Sequence, residues 1–304
     1  MSSTRTATAR TPGPTARPYG GHSRSAPLRR VLVRQPAAPA TGDEWSEFGY
    51  PRAVDQGRAE QEHAAFRGLL TDAGIEVVAA GPDRPGLLDA IFTDDVAIMT
   101  DAGVIIVRPG KVLRQPEAEL AEQSFTELGV PVLGRITAPG TVEGGDTCWL
   151  DQRTLAVGRG YRTNQAGIDQ LSAILAGIGV TVVPVALPHW HGPEECLHLL
   201  SLISPIAPAA AVVYFPLLAT SFVQDLQERG WDLIPVPDEE FDSLGCNALA
   251  LAPWRVVVVE GNPVTRRRLE EAGCQVLAYT GEEISLNRMG GPTCLTRPIW
   301  RDTA

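Results

Sequence analysis

The feature that most constrains this chain is a unit that recurs about every fifty residues. DDVAIMTDAGVIIVRPG (94–110) reads as strand, tight turn, strand; PEAELAEQSFTELG follows with helical spacing, then a short strand, VPVLG. GDTCWLDQRTLAVGRG (145–160) restarts the pattern, with TNQAGIDQLSAILAGIG as its helix and VTVVPV as its closing strand. Residues 197–216 and 245–262 give a third and a fourth hairpin. The third is followed by LATSFVQDLQERG and WDLIPVP, the fourth by PVTRRRLEEAG and CQVLAYT. Apolar residues fall at helical spacing, as with Phe222 and Leu226 in the third unit, with Trp231 just beyond the helix. Each helix stops at or near a glycine (Gly129, Gly177, Gly230, Gly273), which accepts the left-handed conformation that ends a helix.

A fifth unit is split between the two ends of the chain. ISLNRMGGPTCLTRPI supplies one part. RVLVRQP, RAEQEHAAFRGLLTDAG and IEVVAA supply the rest. Five such units in a ring make a five-bladed α/β propeller whose fifth blade is shared by the termini, with a cavity where the first strands converge. An ordinary open α/β sheet is the other arrangement the pattern allows.

Composition bounds what surrounds this body. Residues 1–30 hold six Arg, no acid and little to bury, so residues 1–28 are expected to be a disordered basic tail and 29–304 one catalytic domain. No apolar h-region precedes a cleavage site, and Pro12, Pro14 and Pro18 oppose an amphipathic transit helix. Beyond the tail stand 20 basic and 36 acidic residues, a balance that suits a small cationic substrate and excludes phosphate-mediated nucleic-acid binding. No apolar run approaches the roughly 18 residues of a membrane span. The five cysteines (148, 196, 246, 274 and 294) are odd in number and lack a CxxC pair, which predicts reduced thiols in the cytoplasm. A homodimer is compatible with this sequence, and nothing in it fixes the oligomeric state.

Residues near the hairpin starts should meet at the axis. These are Asp89, Asp95, Glu143, Asp146, His198, Asn247 and Cys294. Cys294 follows Gly290, Gly291 and Pro292, and glycines there allow close backbone approach. A lone cysteine in a strand is more often a small buried hydrophobe, and a lone histidine at a strand start is more often structural. HWHGPEECLH clusters His189, His191, Cys196 and His198, but at no usual zinc spacing, so neither metal nor cofactor is expected. Arg162 opens a helix, where its guanidinium can clamp a carboxylate.

These segments resemble the guanidino-group-modifying (pentein) superfamily of dimethylarginine dimethylaminohydrolases, arginine deiminases and amidinotransferases. The resemblance runs from RVLVRQP to GGPTC, through LLDAIFTDDVAIM, VRPGKVLRQPE, VEGGD, GYRTNQAGI and LHLLS, in the family's order. It implies the ββαβ propeller and a role for each residue. Cys294 would be the nucleophile and His198 the acid and base. Asp95 and Glu143 would hold the guanidinium, Arg162 the substrate α-carboxylate, and Asp89 a loop or the α-amino group. Arg114 would orient or close the site. The implied reaction cleaves a guanidino C–N bond of arginine or an N-methylated arginine, giving citrulline and an amine through a thiouronium adduct. The rival reaction passes the amidino group to an amine acceptor, with WSEFGYP and HWHGPEE as lid or acceptor site. In the deiminases and transferases the residue two after the histidine is usually Asp, and dimethylarginine hydrolases commonly have Lys. Here it is Leu200, an apolar wall that would suit a methylated nitrogen.

Overall fold

In a computed structural model of the chain, which describes residues 19–80 and 84–303, the repeat takes the form of five three-stranded sheets. Four are continuous in sequence. Ala97–Thr100 pairs antiparallel with Gly103–Ile106, and Val132–Arg135 returns parallel to that middle strand after the helix Glu117–Glu127. The hairpins at Thr147–Asp151 and Thr154–Arg159, Ile203–Ala207 and Ala210–Val213, and Leu249–Ala252 and Arg255–Val259 repeat this topology. In the fifth sheet, Leu28–Val33 lies between Arg297–Arg301, antiparallel, and Glu76–Ala79, parallel. The two distant segments thus complete one unit, as the split pattern predicts.

Local chemistry explains the helices. Asn164 accepts from the Gly167 N–H at 2.8 Å and starts Gln165–Ala176, whose Ile168, Leu171 and Leu175 are buried on one face. Asp55 caps Gln56–Asp72 in the same way, and Phe66 and Leu70 beneath it are fully buried. Each such side chain contributes about 1.5–3 kcal/mol by leaving water. One expected stop differs: Gly177 is right-handed (φ −61°), and Gly179 (φ +74°) makes the left-handed exit two residues on.

Successive units are stitched near their hairpin starts. The Gly144 N–H donates to Asp95 O (2.8 Å), Leu199 N–H to Asp146 Oδ1 (3.0 Å), Ala248 N–H to Ser204 Oγ (3.1 Å), and Thr293 N–H to Asn247 Oδ1 (3.0 Å). The Asp94 N–H then donates to Cys294 O at 3.2 Å, joining the fifth unit back to the first. Of the residues picked out as axial, Asp95, Asp146, Asn247 and Cys294 carry these links, while the third unit uses Ser204.

The expectation of a disordered tail over residues 1–28 does not hold for its last ten residues. Residues 1–18 lie outside the described residues, but 19–28 pack on the body. Gly20 N–H donates to Ile299 O (2.8 Å), His22 stacks on Trp149 at 4.2 Å, and Arg24 is buried against Asp94. Backbone pairing and one buried ion pair hold this stretch, and a low hydrophobic content does not report either. Among the described residues no helix is long and apolar enough to cross a membrane.

Candidate active site

A cavity of about 620 Å³ is lined by Asp89, Asp95, Arg114, Arg162, His198 and Cys294, together with Asn247 and Cys196. Phe48, Trp190, Phe241 and Met289 supply its apolar surface, and Lys111, Glu194, Glu195, Asp242 and Arg288 its further charges. Both segments expected near the mouth contribute: Phe48, Gly49 and Pro51 from WSEFGYP, and Trp190, His191, Glu194 and Glu195 from HWHGPEE.

His198 sits at the start of the short 3-10 turn Leu199–Ser201, ahead of its strand, where its backbone N–H donates to Ser201 Oγ at 3.1 Å. Its Nε2 lies 2.6 Å from Glu143 Oε2, and its Nδ1 3.8 Å from Asp95 Oδ1. Burial alone would lower the imidazole pKa. The Cys196 sulfur and the Asp95 and Asp146 carboxylates around it outweigh burial and raise it well above the ordinary value. Burial likewise opposes ionisation of Glu143, but the hydrogen bond from His198 prevails and holds its pKa well below the usual carboxylate range. The pair is an imidazolium facing a carboxylate.

Glu143 does not line the cavity. It is fully buried, and its Oε1 accepts from the Gly110 and Lys111 N–H groups at 3.0 and 3.2 Å, with Arg162 at 3.5 Å. It therefore fixes His198 from behind, a correction to the expectation that it holds the substrate directly. Asp95 does face the cavity, with Gly145 N–H on Oδ1 (3.1 Å) and Arg114 Nη1 on Oδ2 (2.6 Å). Arg114 is almost entirely buried and forks onto Glu117 at 2.9–3.1 Å while also reaching the Asp89 and Phe92 carbonyls. It is a fixed strut for Asp95, and so saturated a side chain cannot close the site. Burial pushes its partner Glu117 up to about 7 despite the guanidinium. Asp89 accepts from Tyr50 Oη (2.7 Å) and Lys111 Nζ (2.8 Å), tying the loop at Tyr50 to the cavity wall.

Asp146 organises the same wall without reaching the cavity. It accepts from Thr163 Oγ1 (2.6 Å) and Leu199 N–H (3.0 Å), while Thr163 Oγ1 in turn accepts from Glu143 N–H (3.1 Å). Burial raises its pKa to about 6. The double glycine in EGGD is steric: a Cβ on Gly145 would overlap His198 Nδ1 and Asp95 Oδ1. The glycine before Pro292 has the same origin, since a Cβ on Gly291 would overlap the Asn247 side chain.

Cys294 lies in a turn before Arg297–Arg301, not in the strand, and is partly exposed to the cavity. Asn247 Nδ2 donates to its Sγ at 3.5 Å, and Thr293 Oγ1 lies 3.9 Å away. Burial, reinforced by Asp95, pushes the thiol up to about 12, with His198 acting in the opposite sense. Cys148 and Cys246, by contrast, are completely enclosed in the core. Asp95, Glu143 and His198 also present ligand atoms within 4.8 Å of one another, the spacing a divalent cation needs. The proton that His198 shares with Glu143 competes with any such use.

Leu200 departs from expectation. It packs in an apolar cluster with Cys148, Ala211 and Cys246 and borders a separate void of about 10 Å³ beside Arg24 and Thr293. It forms no wall of the large cavity, so it says nothing about a methylated nitrogen.

Repeated three-stranded sheets around a buried acid–imidazole pair and a cavity-facing thiol define the structural class. The arginine deiminase family profile matches residues 86–221 and 215–301. The N(G),N(G)-dimethylarginine dimethylaminohydrolase of Streptomyces coelicolor is 30% identical over 273 residues, covering 89% of this chain and 96% of the relative. The chain therefore belongs to the arginine deiminase family, within the superfamily its motifs resemble. Two solved structures share the fold. A Cys-to-Ser variant of the Pseudomonas aeruginosa dimethylarginine hydrolase, complexed with citrulline, superposes with a TM-score of 0.72 at 24% identity, over 89% of this chain and 98% of that one. An amidinotransferase of the saxitoxin pathway of Microseira wollei gives 0.75 at 17% identity, over 93% and 97%.

Proposed function

We propose that this protein is a C–N hydrolase acting on linear amidines, which converts arginine or an N-methylated arginine to citrulline and the departing amine. The carrying observation is that one cavity gathers the Cys294 thiol, the His198 imidazolium and the Asp95 carboxylate, with Arg162 on the same lining. The cycle of hydrogen bonds from the first unit to the fifth and back supports a closed, pseudo-symmetric five-bladed ββαβ propeller as its frame. In this reading the body from residue 29 onward, with residues 19–28 packed on it, forms one catalytic domain, and five free thiols fit the cytoplasm.

A guanidinium is planar, cationic and resonance-stabilised, so attack on its carbon depends on positioning. Asp95, held by Arg114 and Gly145, would take its N–H groups, and Arg162 the α-carboxylate at the far end. A thiol with a pKa near 12 is protonated at neutral pH, so the substrate cation itself must favour the thiolate. The thiol proton passes to solvent, sulfur bonds to the guanidino carbon, the C–N bond breaks, and His198 gives its proton to the leaving nitrogen. The neutral imidazole next takes a proton from water as that water adds to the carbon. The C–S bond breaks as the added hydroxyl becomes the carbonyl and its proton passes to sulfur, leaving citrulline and the thiol. Support for a methylated substrate comes from the dimethylarginine hydrolase relatives, now that Leu200 lies elsewhere. Amidino transfer has less support, because the transferase likeness is one of fold at 17% identity. The test is citrulline formation from arginine and its mono- and dimethylated forms, with intact-mass detection of an amidino adduct on Cys294. No turnover of any of them would remove the proposal, and acceptor-dependent ornithine release would replace it with transfer.

A further inference from the structure

Arg24 belongs to the stretch whose composition reads as tail, yet it is more deeply placed than most of the cavity residues. Its Nη1 donates to both Asp94 carboxylate oxygens, at 3.0 and 3.1 Å. Its Nη2 donates to Gly144 O (3.2 Å), Thr147 O (2.8 Å) and Thr147 Oγ1 (3.3 Å). Gly144 directly follows Glu143, and the turn Gly144–Asp146 sets the carboxylate that holds His198. Asp94 directly precedes Asp95, and its N–H donates to the Cys294 carbonyl at 3.2 Å. Thr93 Oγ1 extends this seam to Leu295 O at 3.4 Å. Arg297, three residues past the thiol, completes it, with Nη2 2.8 Å from Asp94 Oδ1 and Nη1 on the Asp94 and Ala97 carbonyls.

One guanidinium therefore braces the seam between the Glu143 turn and the Asp94–Asp95 pair, and reaches the Cys294 turn through Asp94, whose N–H donates to the Cys294 carbonyl. We propose that Arg24 is a positioning residue that sets the nucleophile turn against the acid–base wall, so that residues 19–28 are part of the working site. This rests on Cys294 being the nucleophile. Nη1 meets both Asp94 oxygens while Nη2 reaches two carbonyls, a planar spread of donors that a point-like ammonium cannot serve together. Burial disfavours the Arg24 charge, but the charge of Asp94 and its hydrogen bond more than compensate, so the cation persists. A displacement of about 1 Å between the turns is enough to cost a hundredfold in rate.

The experiment compares the unaltered chain, Arg24→Ala and Arg24→Lys in two ways. The first is steady-state turnover of the best arginine derivative. The second is iodoacetamide labelling at pH 8, read by peptide mass spectrometry as the ratio of Cys294 to Cys196, which line the same cavity. The charges acting on Cys294 come from Asp94, Asp95, His198 and Arg24, while Asn247 and Thr293 are its polar neighbours. In Arg24→Ala, kcat should fall about 100-fold with KM within about threefold. The Cys294:Cys196 ratio should fall about tenfold. Arg24→Lys should recover the labelling ratio and only part of kcat. General loosening would instead raise labelling at every cysteine, the enclosed Cys148 and Cys246 included. If Arg24→Ala does not fold, Arg24→Lys decides on the same readings. Unchanged kcat and an unchanged ratio, or labelling that rises at all five thiols together, would overturn the proposal. A Cys294 that neither labels nor turns over substrate in the unaltered chain would sink the nucleophile reading itself, and this inference with it.

Discussion

The two sides of the cavity are built on opposite plans. On one side Glu143, His198, Asp95, Asp146 and Arg114 hold one another through hydrogen bonds mostly of 2.6–3.1 Å, with backbone N–H groups filling the remaining acceptor positions. On the other side, the Cys294 sulfur has two long polar neighbours, at 3.5 and 3.9 Å, and packs partly buried among Phe92, Leu249 and Leu295. The lesson is a division of labour. Fixed charges must be prepaired because an unpaired buried charge is costly, whereas a nucleophile must be free to change bonding.

Breaking each side in turn should separate these roles. Cys294→Ser should lower citrulline formation by about 1,000-fold or more. The same change should move unfolding free energy by only about 0.5 kcal/mol, because few contacts hold the sulfur. A large loss of stability would show the thiol to be structural. Glu143→Gln should do the reverse in kind: about 100-fold in rate, together with a penalty of about 3–5 kcal/mol from a broken buried pair. That penalty is pH-dependent. The folded His198 pKa is raised, so its stabilisation is complete below the unfolded imidazole value of about 6.5 and is lost as pH rises through the folded value. Urea titrations at pH 6 and under increasingly alkaline conditions should show the gap between variant and parent narrowing, and a gap that widens would contradict the ion pair.

Gly145→Ala tests the wall by crowding it. The added methyl meets His198 and Asp95, so turnover should drop about 10- to 100-fold, with about 1–3 kcal/mol of strain. Parent-like kinetics would mean that the wall is softer than its bond lengths imply. Asn247→Ala removes the donor to sulfur and leaves the Thr293 N–H without its acceptor, for an expected loss of about tenfold in kcat and about 1–3 kcal/mol. The smallest effect belongs to Cys196→Ser. Its sulfur is nearly equidistant from both His198 ring nitrogens, at 3.8 and 3.9 Å, and so lies along neither N–H. Rates within about threefold of the parent are expected from so poorly aligned a contact, and a larger drop would give this thiol a part in proton transfer.

The repeat was legible because turn, helix and strand signals are local, and so were Asp95, His198 and Cys294, which stand where those signals change. What escaped was set by tertiary contact. Arg24 sits in a stretch rich in Ser, Pro and Arg, and its partners lie at Asp94, Gly144 and Thr147. Glu143 was found, but its burial behind His198 depends on the N–H groups of Gly110 and Lys111. Leu200 turns toward the core because the Leu199–Ser201 turn rotates the chain between His198 and its strand. Gly177 and Gly179 both satisfy a sequence rule that only backbone geometry can resolve.

The fifth sheet carries a kinetic corollary. Its central pairing joins Leu28 to Arg301, so it closes a loop of nearly the whole described chain and must overcome a large loss of chain freedom. Thr147–Arg159 and its neighbours can gather Glu143 and His198 early, while the sulfur is brought into line only when that last seam zips. A refolding chain should regain Trp149 fluorescence before it regains any capacity to release citrulline, so a half-folded chain is a harmless one.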